Sequence, residues 1–288
     1  MTDKVKKFIE KYIKFIEENE WKKIYQDALD ELQNDIGKFT EVMLDVDIHP
    51  ENYLAELPEH FLTWSNIKEF TIPENIAHVG HFAFGNCIDL TSLIISNGVT
   101  SIGDDTFYNC TSLTDVIIPN SVTSIGDNAF GGCSSLTSIA IPDSVTSIGE
   151  FAFSNCESLT SITIPDSVTS FEGWVFRDCT SLATVTISNS ITSISKCAFY
   201  GCSSLKSITI PDNITSISDF AFYNCTNLTN VLIENPEITI GDNVFSYCNH
   251  LDIQFAGTKK QWETIAKRKF SGVKYTCTCT DGIIKKSR

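Results

Sequence analysis

The sequence predicts an α/β solenoid of stacked 23-residue repeats, and three columns of apolar residues predict it. Phenylalanine, cysteine and leucine each return at one constant spacing, once in every repeat, over eight repeats. Apolar positions locked to one long period indicate a stack of repeats that bury each other, not a globular core. The columns are Phe84, Phe107, Phe130, Phe153, Phe176, Phe199, Phe222 and Phe245; Cys87, Cys110, Cys133, Cys156, Cys179, Cys202, Cys225 and Cys248; Leu90, Leu113, Leu136, Leu159, Leu182, Leu205, Leu228 and Leu251.

Each repeat contains two short extended segments joined by a turn. From Leu159 to Val168, isoleucine alternates with serine or threonine, which is the pattern of a half-buried strand. Pro165 ends that strand because it has no N–H for a ladder hydrogen bond. Residues 168–171 then form a second short extended piece, with apolar side chains directed inward.

The remainder of the repeat predicts a tight turn back to the next strand. An acidic residue such as Asp127 often follows a glycine there, and we expect it to cap a short helical turn. The residue before each cysteine is Asn, Asp or Gly in seven of eight repeats, which predicts a left-handed backbone with positive φ. Tyr247 is the exception to that residue preference.

The repeat pattern C-x-x-L-x-x-[IV]-x-[IV]-P-x-x-[VI]-x-x-[IF]-G-x-x-A-F resembles the BspA-like, or Treponema pallidum-type, leucine-rich repeats. The resemblance covers about Phe61 to Ile253. It implies a curved right-handed solenoid used for protein binding or adhesion. Many members of that family are surface proteins of bacteria or protists. The segment GTKKQWETI resembles the tail that often follows the last repeat.

Four regions follow from these patterns. Residues 1–45 are predicted to form an N-terminal helical cap, because apolar residues recur at helical spacing; the alternative is a partner or dimerisation helix. Residues 46–60 are predicted to be a linker. Residues 61–253 form the leucine-rich repeat solenoid, and residues 254–288 a short C-terminal cap in which Trp262, Ile265 and Phe270 cover the last repeat.

The first repeat of the solenoid is predicted to be degenerate. Phe61 and Trp64 lie one full period before Phe84 and Cys87, so we assign them to the phenylalanine and cysteine columns.

The charge balance excludes some partners. The chain has a net charge of −15, and residues 61–250 carry 18 acidic and 4 basic side chains, a net of −14. Such a surface disfavours nucleic acid and anionic membranes, and leaves basic proteins or polar uncharged ligands. The alternative is that the charge only keeps the stack soluble.

Localisation and assembly are expectations from what the sequence contains. No stretch is apolar enough to cross a bilayer or to form a secretory signal. We expect a cytoplasmic monomer that binds a protein partner. A cell-surface or secreted protein is the alternative if another export route is used or the N-terminus has been trimmed.

No catalytic constellation is apparent in the sequence. Eight of the eleven cysteines belong to the column, so we interpret them as free, packed thiols. His78 and His81 as a zinc pair, and Cys277 with Cys279 as a redox or metal motif, are the weaker alternatives. We expect no enzyme activity, metal or cofactor.

The candidate binding face is the outward side of the long strands. Its centre is predicted to be flat and polar, and its first two rungs are predicted to expose Ile94 and Ile117 as a contact site. The function expected is a non-enzymatic protein-interaction scaffold, with a cell-surface adhesin as the alternative. The alternative is that the two isoleucines contact the N-terminal helix or are surface isoleucines without a partner. The candidate residues are Ser92, Ile94, Asp115, Ile117, Ser138, Ala140, Ser161, Thr163, Thr184, Thr186, Ser207, Thr209, Asn230 and Leu232.

Overall fold

The computed structural model describes residues 56–286, except 58, 73, 75, 267, 268, 271 and 272. The helical cap predicted for residues 1–45 lies outside the described residues, as does most of the linker predicted for 46–60.

The described chain is a β-solenoid of about nine turns, which we call rungs. The α/β class predicted from the sequence is therefore wrong in its helical part, because the described rungs are strand and turn and the C-terminal region supplies the one helix. Most rungs contribute one long and one short strand. The long strands are β2 (Glu69–Ile72), β4 (Ser92–Ile95), β6 (Asp115–Ile117), β8 (Ser138–Ala140), β10 (Ser161–Thr163), β11 (Thr184–Thr186), β13 (Ser207–Ile210), β15 (Asn230–Ile233) and β17 (Leu251–Phe255).

The short strands line a second side of the stack. They are β1 (Glu56–Leu57), β3 (His78–Val79), β5 (Ser101–Ile102), β7 (Ser124–Ile125), β9 (Ser147–Ile148), β12 (Ser193–Ile194), β14 (Ser216–Ile217) and β16 (Thr239–Ile240). Where the sequence departs from the repeat at Phe171, the short strand is reduced to a single bridge with Ile148.

Most strands of neighbouring rungs pair in parallel and in the register that the period predicts, and the long strands form three hydrogen-bonded groups, β2-β4-β6-β8, β10-β11 and β13-β15-β17. Leu93 of β4 lies opposite Val116 of β6, one full period further along the chain. The register departs from the period at both ends of the array: Leu57 of β1 pairs with Val79 of β3, and Val231 of β15 pairs with Ile253 of β17, each one residue short of a full period. One residue is therefore missing from the last rung, yet its apolar side chains still face inward.

A stack of phenylalanine rings fills the centre, as predicted. The eight rings from Phe84 to Phe245 are fully buried, and neighbouring centroids lie 5.2 to 5.6 Å apart. Phe270 of the C-terminal region continues the stack against Phe245 at 5.5 Å. Since each ring is covered by the rings of adjacent rungs, the rungs stabilise one another.

The cysteines form a second buried column beside the rings, also as predicted. Each thiol from Cys110 to Cys248 donates to the carbonyl oxygen of the phenylalanine one rung earlier, as Cys110 does to Phe84 at 3.1 Å and Cys179 to Phe153 at 3.1 Å. Burial raises the pKa of Cys133 to about 12. The pKa is also raised at the other column thiols from Cys110 to Cys248, so these are neutral packing groups at physiological pH, whereas the hydrogen bond with Cys110 lowers the pKa of Cys87.

The segment after each short strand is a series of turns and not the helical turn that we expected. Asp127 does not cap its own rung: its Oδ1 accepts the backbone N–H of Glu150 in the next rung at 2.7 Å. Glycine precedes this acidic position because a Cβ at Gly149 would clash with the Asp127 carboxylate. The acidic column therefore ties adjacent rungs together.

The predicted alignment of the first rung is wrong by one residue. Trp64 has a φ of 62° and is 70% exposed, so it occupies the left-handed position that precedes each cysteine. Ser65 takes the cysteine position, and its hydroxyl lies 3.4 Å from the thiol of Cys87. Leu62 provides the carbonyl that this thiol bonds, which makes Leu62, not Phe61, the backbone equivalent of Phe84.

The C-terminal region adds one helix and two strands to the last rung. Helix α1 (Lys259–Ala266) is followed by β18 (Tyr275–Cys279), parallel to β17, and by β19 (Gly282–Lys286), antiparallel to β18. Trp262 and Phe270 are buried against the end of the stack as predicted, whereas Ile265 is half-buried.

Candidate interaction face

Alternation along the long strands builds a continuous outward face. In each strand from β4 to β15, one set of side chains enters the core and the other faces solvent, because successive residues of a strand point to opposite sides. Thirteen of the fourteen predicted residues are exposed, and Leu232 is half-buried. Parallel pairing places them in two columns, one led by Ser92 and the other by Ile94.

A threonine ladder stabilises the edge of this face. The hydroxyl of Thr91 donates to the carbonyl oxygen of Lys68 at 3.0 Å, and that of Thr137 to the carbonyl oxygen of Thr114 at 3.3 Å. Each such bond joins a rung to the one before it. The face is therefore held by side-chain bonds as well as by the backbone ladder.

Two isoleucines form the apolar part of the face. Ile94 and Ile117 are directly paired neighbours on β4 and β6, and their side chains are 57% and 73% exposed. Ala140 follows in the same column on β8. We call Ile94 and Ile117 the isoleucine pair. A contact with the predicted N-terminal helix would involve residues outside the described part of the chain.

The face carries little charge. On the outward strand positions from β2 to β15, the charged side chains are Glu69 and Asp115, both near the isoleucine pair. The centre of the face, on β10, β11 and β13, presents only serine and threonine outward.

The residues considered for chemistry have separate structural contacts. Nδ1 of His78 lies 2.6 Å from the hydroxyl of Ser101, whereas Nδ1 of His81 lies 3.7 Å from a carboxylate oxygen of Asp105. Burial raises the pKa of Asp105 from its usual value. Over the part of the chain that the structure describes, no three His, Cys, Asp or Glu side chains are grouped as metal ligands.

The two cysteines of the C-terminal strand lie side by side. Sγ of Cys277 and Sγ of Cys279 are 3.7 Å apart on β18, and both residues are buried. Burial raises the pKa of Cys277 well above its usual value, which keeps this thiol protonated and unreactive.

Sequence reasoning missed a second surface feature on the turn side of the rungs. Side chains of Phe151, Trp174, Tyr200, Tyr223 and Tyr247 form a continuous row across five rungs. We call them the aromatic row. These residues come from three different positions of the repeat, so no single column of the sequence reveals them.

The stacked rungs, the buried columns and the exposed strand face define a leucine-rich repeat protein. The chain belongs to the BspA type leucine rich repeat family, whose model matches residues 55–183 and 175–278 with six copies. The resemblance seen in the sequence is therefore confirmed.

Solved structures of bacterial leucine-rich repeat proteins are similar to this chain. One from Bacteroides ovatus is 31% identical, with a TM-score of 0.61, over 66% of this chain and 54% of that one. The Treponema pallidum leucine-rich repeat protein is 23% identical, with a TM-score of 0.51, over 75% and 88% of the two chains. This chain thus spans about half of the Bacteroides ovatus protein. The Treponema pallidum protein shares the fold.

A comparison with curated proteins found no match. Among the described residues, no helix has the length and apolar character required to cross a bilayer.

Proposed function

We propose that this protein is a non-enzymatic scaffold that binds a protein partner through the outward face of its long strands. The observation that carries the proposal is the isoleucine pair. Two large apolar side chains more than half exposed, next to each other on a rigid sheet, provide a contact that gains stability when a partner covers it.

The rest of the face supports a broad, flat contact. Serine and threonine at the outward positions of β10, β11 and β13 can donate and accept hydrogen bonds at low desolvation cost compared with charged groups. Glu69 and Asp115 beside the isoleucine pair favour a partner with basic groups at the matching positions.

A cell-surface adhesin would use the same face and requires export. Fractionation of the source cell tests this alternative: recovery from the outer surface supports the adhesin, and recovery from the cytosol supports an internal scaffold. The cytoplasmic location and monomeric state expected from the sequence stay predictions.

The experiment compares two double variants with the wild type. Ile94→Asp/Ile117→Asp places charge on the isoleucine pair, and Thr163→Asp/Thr186→Asp places the same charge on the polar centre of the face. All four positions are exposed, so both variants should fold. Proteins captured from the source cell are purified, and their Kd values are measured by calorimetry.

We expect the isoleucine variant to weaken binding by at least about 10-fold, the loss typical of an interface anchor. The threonine variant should lose clearly less. Equal affinity of the wild type and the isoleucine variant would show that the isoleucine pair is not part of the interface.

A further inference from the structure

The aromatic row runs parallel to the stacking direction on the turn side of the solenoid. Phe151 and Trp174 lie 5.8 Å apart between ring centroids, Trp174 and Tyr200 5.7 Å, Tyr200 and Tyr223 4.9 Å, and Tyr223 and Tyr247 5.0 Å. Each pair joins neighbouring rungs. Tyr247 is 69% exposed and the others are half-buried.

The backbone at three of the five row residues is strained for such side chains. Phe151 has a φ of 57°, Trp174 of 60° and Tyr247 of 63°, in the left-handed region that bulky residues disfavour. Other rungs place Asn128 or Asn155 at the equivalent positions, and asparagine tolerates this conformation. The aromatic residues cost stability without reaching the core, which points to a use at the surface.

The composition of the row matches that of binding anchors. Trp, Tyr and Arg dominate the energetics of protein interfaces. The guanidinium carbon of Arg177 lies 5.2 Å from the Trp174 ring centroid and 5.8 Å from that of Tyr200. Its Nε donates to Asp178 at 2.9 Å, which fixes the guanidinium in the row.

The orientation of the rings limits what can bind. The Phe151 and Trp174 rings are 14° from parallel, and those of Tyr200 and Tyr223 9°. Within these two pairs the ring faces cover one another, whereas the Trp174 and Tyr200 rings are tilted by 45° and those of Tyr223 and Tyr247 meet edge to face at 61°. The stacked pairs therefore offer ring edges and hydroxyls outward. Those edges suit apolar side chains packed against them better than flat groups stacked on ring faces.

We propose that the aromatic row binds an amphipathic α-helix of a partner protein, lying along the stacking direction. Ring spacings of 4.9 to 5.8 Å match the pitch of about 5.4 Å at which an α-helix repeats its apolar stripe. An extended strand repeats the side chains of one face about every 6.7 Å and would lose register within two rungs. The five-rung row accommodates about four helical turns.

Charge complementarity defines the flanks of that helix. The exposed residues Glu150 and Glu172 lie one and two positions before Phe151 and Trp174, and exposed Asp219 precedes Phe220, whose ring contacts Tyr223. The cations beside them are Lys196, which is exposed, and Arg177, which is paired with Asp178. The proposed helix therefore carries Lys or Arg beside its apolar stripe.

The test uses two display libraries as probes: a stable helical scaffold with one randomised face, and linear 16-residue peptides. Both are selected against the wild type and depleted on the variant Trp174→Asn/Tyr200→Ser/Tyr247→Asn. Each substitution introduces a residue that other rungs carry at the same position, namely Asn128, Ser154 and Asn155. Thermal unfolding checks that the variant folds.

We expect the helical library to yield binders with an apolar stripe and basic flanks, weakened at least 10-fold by Trp174→Asn alone. The variant Ile94→Asp/Ile117→Asp should bind them as the wild type does, which separates this surface from the strand face. The proposal is overturned if binders that depend on the aromatic row arise from the linear library only, or if neither library yields such binders. It is also overturned if the row binds glycans on an array and binds no helix.

Discussion

The thiol of Cys156 donates a hydrogen bond to the carbonyl oxygen of Phe130, with sulfur and oxygen 3.3 Å apart. Phe130 belongs to the preceding rung, and the same bond recurs along the stack, for example from Cys202 to Phe176 at 3.2 Å. The cysteine column thus joins rungs through protonated thiols in a dry interior. The thiolate form would lose this bond and would be buried without a partner.

Stability should therefore fall at alkaline pH. Burial raises the pKa of Cys133 and Cys179 to about 12, whereas an unfolded thiol titrates near about 8.5. The folded state holds these protons more tightly, so the stabilisation is fully present below about pH 8 and is lost as pH rises. Each thiol accounts for about 1.4 kcal/mol per pH unit above its unfolded pKa.

Urea unfolding of the wild type and of Cys133→Ala at pH 8 and pH 10 measures one thiol's share. The comparison cancels the titration of other groups. Between the two pH values, the wild type should lose about 2 kcal/mol more than the variant. Equal losses would show that Cys133 is not buried as a protonated thiol.

Two phenylalanines of one rung should respond in opposite ways to substitution. Phe153 is fully buried in the ring stack, so Phe153→Ala should cost about 3–5 kcal/mol through lost burial and a cavity. Phe151 is half-buried with a φ of 57°, so Phe151→Asn should leave stability unchanged or raise it by up to about 1 kcal/mol. Chemical denaturation checks both. A cost below about 1 kcal/mol for Phe153→Ala would show that this ring is not buried in the stack.

The period of the sequence predicts the buried columns because burial in a stack repeats with the rung. It does not predict insertions or deletions of one residue at the ends, where Trp64 and Val231 lie, because one-residue shifts leave most of the apolar pattern intact. The strand face follows from alternation alone, and the exposure of Ile94 and Ile117 was predictable for that reason.

The turn side was harder to predict because bulky residues there adopt a left-handed backbone conformation that they usually disfavour. A rung has two left-handed positions, as at Phe151 and Asn155. The second, which precedes the cysteine, was predicted from its Asn, Asp and Gly residues, and Tyr247 shares the conformation despite its side chain. In four rungs the first position holds an aromatic residue, Phe82, Phe151, Trp174 or Phe220. Aromatic residues favour regular secondary structure, so they do not indicate a left-handed backbone. The role of Asp127 was also missed, since N-capping and bonding to the next rung require the same side chain.

Substitutions of Asp127 in the acidic column test that inter-rung hydrogen bond. Asp127→Ala removes the acceptor for the Glu150 N–H and should cost about 0.5–1.5 kcal/mol. Asp127→Asn keeps a side-chain oxygen and should lose clearly less. Equal costs for the two variants in urea unfolding would mean that the carboxylate acts through its charge and not through the hydrogen bond.

The central claim is that the regularly spaced rings and thiols are buried inside the stack, and that the thiols are protonated and form no disulfides. Thiol titration with an aromatic disulfide reagent at pH 8, without any reductant, tests this claim most directly. The account predicts slow reaction of the native protein and rapid reaction of all eleven cysteines in guanidinium. Rapid labelling of the native column, or fewer than eleven thiols after unfolding because some are bridged as disulfides, would contradict it.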